Sequence, residues 1–369
     1  MIVYVNSPGR INLIGEHTDY NGGHVLPCAL NLSIQLEFKK TPNKSFIKTD
    51  LGYSLEFKIE DNYEKSNIHW ENYALGVINE LKKIKINLFN FNCKIKSNLP
   101  SGAGISSSSA LVCGLIKGLC ELNNINLNNN EIINISRNVE HNYIGVLGGI
   151  MDQYTILNAK KNMAILLDCH NIKAKYINLD LDKYEFLLLN TNVKHNLANT
   201  EYNKRVLECK QALFEINKKK SSSYLNLCEL NSQELKEFKN KLKEKIFRRA
   251  NFVVNENERT LNSATLLLKG KLKEFGKLMY HSHNGLKNEY EVSCKELDFL
   301  VEHTKKYDKI LGSRMMGGGF GGCTISLIEK NFTKKYIQIV NKYYFSIFKI
   351  NLRPIIAKPD KGIEIKMIK

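Results

Sequence analysis

A chain of 369 residues with 43% hydrophobic content can bury a sizeable core, in one domain or two. No window approaches the roughly 18 uninterrupted apolar residues of a membrane span, and the opening Met-Ile-Val-Tyr-Val-Asn-Ser-Pro lacks the basic and apolar regions of a signal peptide, so the expectation is a soluble, cytoplasmic protein with no membrane partner. The charge of +17 does not by itself imply a nucleic-acid partner: Lys and Asn are abundant from end to end, as an AT-rich genome imposes, and the densest basic segment, 218–220 with 236–249, has Glu229, Glu234, Glu237 and Glu244 in or beside it and no interleaved aromatic platform.

The nine cysteines are scattered without a C-x-x-C pair, a pattern of reduced thiols and not of a disulfide frame or a zinc site. In chain order, residues 2–5 read as a strand, continued by alternation of Ile11 and Leu13 with Arg10 and Asn12 like a half-buried one. The segment Glu16-His-Thr-Asp19 then sits where the backbone must turn, between a short apolar run and two glycines. Its carboxylates, imidazole and nearby guanidinium offer donors and acceptors suited to a hydroxyl-rich ligand; a polar turn with an N-cap is the alternative. An apolar strand follows from Val25 to Phe38, broken by Pro27, and the Lys-rich stretch 41–66 holds an antiparallel edge near 53–59. Trp70, Tyr73, Val77 and Leu81 fall close to one face of a helix.

After an alternating strand at 91–97, the segment Pro100-Ser-Gly-Ala-Gly-Ile-Ser-Ser-Ser-Ser-Ala opens a helix marked by Leu111, Leu115 and Leu119. Two glycines permit close backbone approach, and serines stand where free N–H groups point outward at a helix N-terminus, which together make a phosphate cradle. It is not a Walker A loop, since no Gly-Lys-Ser/Thr is present; a Gly/Ser turn with an ordinary cap is the competing reading. A second helix is expected over 129–144, ending at Gly145 and followed by Gly148-Gly149-Ile-Met-Asp152. Asp152 and Glu140 carry chemistry only if both face the serine loop. Strands return over 161–193, and the chain then turns helical at 199–217, 231–268, 270–282 and 294–306. The cluster Gly317–Gly322 around Phe320 is too dense to lead into a strand unless a ligand or another backbone lies close by. A helix from 333 and a short terminal strand complete an α+β pattern of mixed sheet and helices in two lobes, 1–180 and 181–369, with the last strand able to pack back on the first lobe.

The three glycine-bearing motifs, in this order and spacing, resemble the GHMP small-molecule kinases, and the galactokinase branch in particular. Gly9-Arg-Ile-Asn-Leu-Ile-Gly-Glu-His-Thr-Asp-Tyr-Asn-Gly22 is similar to the galactokinase signature almost residue for residue, 102–108 to the ATP loop, and 312–323 to the third motif. Likeness also covers Trp70–Tyr73, Gly149–Gln153, Asn190–His195, Tyr202–Arg205 and Tyr290–Asp298. The resemblance implies a two-lobed GHMP-kinase fold with its active site in the cleft between the lobes. It implies ATP-dependent phosphorylation of galactose at the anomeric hydroxyl, with Arg10 and Asp152 as the catalytic pair and Asp152 as base.

By motif position, Glu16, His17, Asp19, Gly149, Asp152 and Tyr202 would hold the sugar. The main chain of Gly102, Ala103, Gly104, Ile105, Ser106, Ser107 and Ser108 would hold the phosphates, Trp70 would lie on the adenine side, and Ser108 with Glu140 would take Mg2+. The implied partners are the sugar and ATP alone, with the chain a monomer or weak homo-oligomer. An N-acetylgalactosamine kinase and a non-catalytic galactose sensor share the motifs; the unbroken run Ser106–Ser109 and the presence of Asp152 stand against the sensor. Three positions depart from the family pattern: Met316 where threonine is commoner, and Asn251 and Phe252 where an Arg-His pair is usual.

Overall fold

The computed structural model describes residues 1–100, 102–194, 198–220 and 223–368. Ser101 of the serine loop and His195 of the 190–195 motif lie outside the described residues. Along the chain run β1 (Ile2–Asn12), β2 (His24–Val25), β3 (Pro27–Lys40), β4 (Ser45–Thr49), β5 (Ser54–Phe57), α1 (Glu71–Lys83), β6 (Phe91–Ser97), α2 (Ser107–Leu122), α3 (Asn129–Val139) and α4 (Met151–Asn158). They continue as β7 (Met163–Asp168), β8 (Lys173–Asn178), β9 (Tyr184–Lys194), α5 (Ala198–Lys219), α6 (Ser232–Lys236), α7 (Glu244–Leu268), α8 (Leu272–Asn288), α9 (Lys295–Thr304), β10 (Ile310–Met315), β11 (Gly321–Glu329), α10 (Lys330–Phe348), β12 (Arg353–Ala357), β13 (Pro359–Asp360) and β14 (Glu364–Ile368).

These strands form three sheets. The largest has the order β14-β1-β3-β6-β4-β5, with β13 also pairing to β3, and it is mixed because β4 and β6 run parallel. The second, β10-β11-β9-β12, is antiparallel throughout, and β2-β7-β8 forms a small third sheet. The terminal strand β14 returns to pair with β1 from Ile2 to Asn6. One core cluster joins Val3, Ile11 and Phe38 of the first sheet to Phe186, Ile325 and Leu327 of the second, so the two lobes share an apolar body. Among the described residues no helix is long and apolar enough to cross a membrane.

Several elements differ from their sequence-based outlines for identifiable reasons. From Ser7 onward β1 is buried on both faces instead of alternating: Ile11 faces the core, while Arg10 and Asn12 turn toward polar partners elsewhere in the chain. The β1–β3 pairing slips between Pro8 and Arg10, where Gly9 crosses close to Leu99 and the Ile105 carbonyl. Pro27 starts β3, a position that asks for no ladder N–H. The expected 129–144 helix is α-helical only to Val139. Residues 140–144 form a π-helical turn, closed by the Gly145 N–H donating to the Glu140 carbonyl at 2.8 Å. The expected 231–268 helix is two helices, α6 and α7. Residues 151–158, which showed no helical pattern of their own, form α4 and carry Asp152 in its first turn.

Helix α2 positions the serine loop at its own N-terminus, and it lies against β1 and β3 at glycine distance. A β-carbon on Gly118 would come within 2.1 Å of the Phe38 ring, and one on Gly114 within 2.7 Å of Leu36. Two opposing effects can be weighed there. Alanine gains about 1 kcal/mol of helix propensity over glycine, whereas overpacking a filled core costs roughly 1–3 kcal/mol. Gly118→Ala should therefore lose up to about 2 kcal/mol in urea unfolding at unchanged slope; a gain in stability would show that α2 can withdraw from β3.

Candidate active site

A cleft of about 830 Å³ opens where the three glycine-bearing motifs meet. Its floor begins with Arg10, which β1 delivers from below. The Arg10 Nε donates to Asp152 Oδ1 at 2.7 Å, and its Nη1 donates to the Gly104 carbonyl at 2.7 Å. One buried guanidinium thus ties a carboxylate 142 positions downstream to the serine loop. The Arg10 pKa, which burial alone would lower, is held above its ordinary value by the charges of Asp152, Glu16 and Asp19. Asp152 Oδ2 in turn accepts from the Ser106 hydroxyl. Ser106 is a left-handed residue, φ 60°, immediately before α2, and this kink aims its hydroxyl at Asp152.

Gly102, Gly104 and Ile105–Ser109 line the cleft, while the Ala103 side chain is buried against the core. Across from them the third glycine loop, Met316–Gly322, closes the other wall. Gly317, at φ 82°, brings it to the Gly104 carbonyl, where a β-carbon would stand 3.3 Å away. Gly319, at φ 88°, lies tighter still, where a β-carbon would stand 2.2 Å from the Val292 carbonyl, so at these two positions another backbone close by requires glycine.

On the second side lie Glu16, His17, Asp19, Gly149 and Tyr202. Glu16 Oε1 accepts from Arg314 Nη2 at 3.1 Å and from the Gly317 N–H at 2.8 Å, so one carboxylate oxygen is committed to the protein. Asp19 presses against Gly149, where a β-carbon would collide with its carboxylate at 2.3 Å; only glycine fits. Burial, then the charge of Asp152, pushes the Asp19 pKa up to about 7. Tyr202 stacks beside His17, with ring centroids 5.3 Å apart. Burial lowers His17 to about 3, so the ring is neutral.

Glu140, at the head of the π turn, accepts from Ser109 at 2.6 Å and from Gln153 at 2.9 Å. Burial, then Asp152, raises its pKa to about 7. Ser108 lines the cleft but does not bond Glu140; its neighbour Ser109 does. Trp70 does not line the cleft. His69, in the turn before α1, and Tyr73, in its first turn, reach it together with rings 5.6 Å apart, and Trp70, next to His69, packs on Tyr53 at 5.8 Å.

Arg314, Gln153, Ser109 and the tyrosines behind His17 carried no role in the sequence reading. Arg314 had a usable signal: a lone cation inside an apolar strand must be fully partnered when buried. Gln153, Ser109 and Tyr290 had none, since each acts through a residue distant in sequence; Tyr20 lies only three residues from His17, but its spacing alone did not show the bond.

The family model described as GHMP kinases N terminal domain matches residues 72–160, GHMP kinases C terminal matches 263–340, and the galactokinase galactose-binding signature matches 2–40. A galactokinase of Clostridium tetani is 42% identical over 347 residues, covering 91% of this chain and 87% of that one. The chain belongs to the galactokinase family. A family member from Thermosipho africanus is 36% identical across 99% of both chains. A Lactococcus lactis galactokinase solved with galactose superposes with a TM-score of 0.94, at 33% identity, covering 98% of this chain and 95% of that one. A mevalonate kinase with a TM-score of 0.65 and 22% identity shares the fold of the galactokinase family.

The raised carboxyls give a pH prediction. A carboxyl moved from 3.8 to about 7 on folding favours the folded state only while protonated. That contribution is complete below about pH 4 and is lost as pH rises through 7. Asp19→Asn should thus raise the melting temperature of the sugar-free protein at pH 8 by roughly a few degrees, and by less at pH 6. Equal effects at both pH values in a melting series would contradict the raised pKa.

Proposed function

We propose that the chain transfers the γ-phosphoryl group of ATP to the C1 hydroxyl of α-D-galactose, giving galactose 1-phosphate and ADP. The observation that carries this reading is the Arg10–Asp152 pair, joined by Arg10 to the serine loop and flanked by Glu16, His17 and Asp19. Family membership supplies the sugar-kinase class, and with it ATP as phosphoryl donor.

In this reading Glu16, His17, Asp19, Tyr202 and the Gly149 main chain hold the sugar, with its anomeric hydroxyl toward Asp152. The Asp152 carboxylate accepts the hydroxyl proton as the oxygen attacks, a contribution of about 10²–10⁴-fold. Arg10 fixes Asp152 and adds positive charge beside the transferring group. The main chain of 102–108, at the N-terminus of α2, receives the phosphates. Positioning and charge stabilisation do most of the work, because phosphoryl transfer asks little covalent chemistry of a protein.

The donor set suits Mg2+: the Ser108 hydroxyl and the Glu140 carboxylate are hard oxygens at the end of the loop, and Glu140 is buried among negative charge that a cation would offset. When bound, the ion would neutralise phosphate charge. Among the described residues no cluster of three or more His, Cys, Asp or Glu could hold a metal ion by itself. That fits an ion whose remaining ligands are phosphate and water.

Galactose-dependent ADP release, measured against N-acetylgalactosamine and arabinose at equal concentration, tests the reading; preference for the amino sugar overturns the substrate. Asp152→Asn should keep galactose binding by calorimetry while turnover falls at least about a hundredfold. Near-wild-type turnover would remove Asp152 as base. Ser108→Ala should raise the Mg2+-ATP requirement with little change in free-sugar affinity, and an equal loss of both would remove its metal role.

A further inference from the structure

Behind the sugar side of the cleft, four side chains form one hydrogen-bonded row. His17 Nδ1 lies 2.7 Å from the Tyr20 hydroxyl, that hydroxyl lies 2.8 Å from the Tyr290 hydroxyl, and the latter lies 3.1 Å from Cys209 Sγ. The Tyr290 ring packs against His17 on one contact and Phe252 on another, with centroids 4.8 and 4.7 Å away. Tyr290 and Cys209 are fully buried. Burial keeps His17 neutral and pushes the phenols and the thiol upward, so each group in the row brings one proton.

With one proton per group, a continuous row can run in only two directions. In the first, the thiol donates to Tyr290, Tyr290 to Tyr20, and Tyr20 to His17 Nδ1; the imidazole proton then sits on Nε2. In the second, Nδ1–H donates to Tyr20, Tyr20 to Tyr290, and Tyr290 to sulfur; Nε2 is then a bare acceptor. The first pairs the better donor, a phenol, with the better acceptor, an imidazole nitrogen, whereas the second ends with a phenol donating to sulfur, a weak acceptor. A separation of 2.7 Å is ordinary for an O–H donor and at the short limit for N–H. Around the ring itself, the Gly318 carbonyl and Glu256 favour a proton on His17, while Arg205 and Arg314 oppose a second one.

We propose that Tyr20 and Tyr290 are positioning residues that hold His17 as the neutral Nε2–H tautomer, so that the imidazole enters the sugar pocket as a hydrogen-bond donor. The use of that donor rests on the sugar-kinase reading above; the tautomer itself does not. The Gly318 carbonyl lies near the ring and favours a proton on it, but His17 Nε2 meets no acceptor in hydrogen-bonding geometry among the described residues, and His17 lines the cleft, so a ligand oxygen can take that bond. Glu16 and Asp19, when ionised, can only accept. His17 gives the same pocket its complementary donor, and a sugar hydroxyl held there must accept.

The test is a long-range proton–nitrogen correlation spectrum of the full chain labelled with ¹⁵N-histidine, without sugar, with His17 assigned by its loss in His17→Gln. Expected is the Nε2–H pattern for His17, unchanged from pH 6 to 8, and a mixture of tautomers in Tyr20→Phe. In the same variant the galactose KM should rise about tenfold, with kcat changed much less, as for loss of one buried hydrogen bond. Tyr290→Phe, which keeps the ring, should give a smaller KM rise and partial loss of the pattern. An Nδ1–H pattern in the wild type, or an intact Nε2–H pattern in both phenylalanine variants, overturns the proposal. Failure of galactose-dependent ADP release in the wild type would instead overturn the function and leave the tautomer result standing.

Discussion

Arg314 makes the first and third motifs a single unit. Its guanidinium has no exposure, donates to the main-chain carbonyls of Leu13, Asn12 and Met315 at 2.9, 2.5 and 2.6 Å, and meets Glu16 at 3.1 Å. A buried cation costs several kcal/mol unless its donors are saturated. Here saturation requires β1 and the loop after it to be in place, 301 positions upstream of Arg314. The hold extends along α7. Glu256, itself bound to Arg259 and Ser282, accepts from the Gly15 N–H at 3.0 Å, and Asn257 accepts from the His24 N–H at 2.8 Å. A loop of the first lobe is thus fixed at both ends and in its middle by side chains of the second. The geometry of the Glu16–Asp19 side of the cleft is consequently a property of the assembled lobes, not of the signature alone.

This anchoring permits an unusual charge balance. Glu16, Asp19, Glu140 and Asp152 all line one cleft, against Arg10 inside it and Arg314 beneath it. The two carboxylates with a direct arginine contact are Glu16 and Asp152; the two without one, Asp19 and Glu140, are those driven up to about 7. Burial and the nearby Asp152 charge thus favour a proton on each of these two carboxyls in the sugar-free site.

Much of this was legible in the sequence where the signal was local. The serine loop, the third glycine cluster and the Glu16–Asp19 turn were visible because glycine spacing and helix-start chemistry act over a few residues. Strand β1 was visible, but its burial on both faces was not, since that depends on Asp152 and Arg314 arriving from elsewhere. The same limit hid α4, whose eight residues lack a helical stripe, and the π turn, which shifts Glu140 relative to the α3 repeat. Trp70, which the resemblance places on the adenine side, packs on Tyr53 and is outside the lining of the cleft. Its neighbours His69, in the turn that leads into α1, and Tyr73, in the first turn of that helix, line the cleft.

The backbone itself carries the last element of the design. His17, Ser106 and Phe320, one from each motif, all occupy the left-handed region, at φ 63°, 60° and 58°, and all line the cleft. None is glycine, so each conformation costs of order 1 kcal/mol or more. Each is held by a specific bond: His17 to Tyr20 three residues on, Ser106 to Asp152, and the Phe320 N–H to the Val292 carbonyl at 2.7 Å. Two of these bonds lie within the first lobe and the third within the second, so each lobe fixes its own kinks. What docking of the lobes adds is the approach of one motif to another: Gly317 of the second lobe meets the Gly104 carbonyl of the first, where a β-carbon would stand 3.3 Å away. Local strain is held locally, and the cleft is made where the already shaped loops meet.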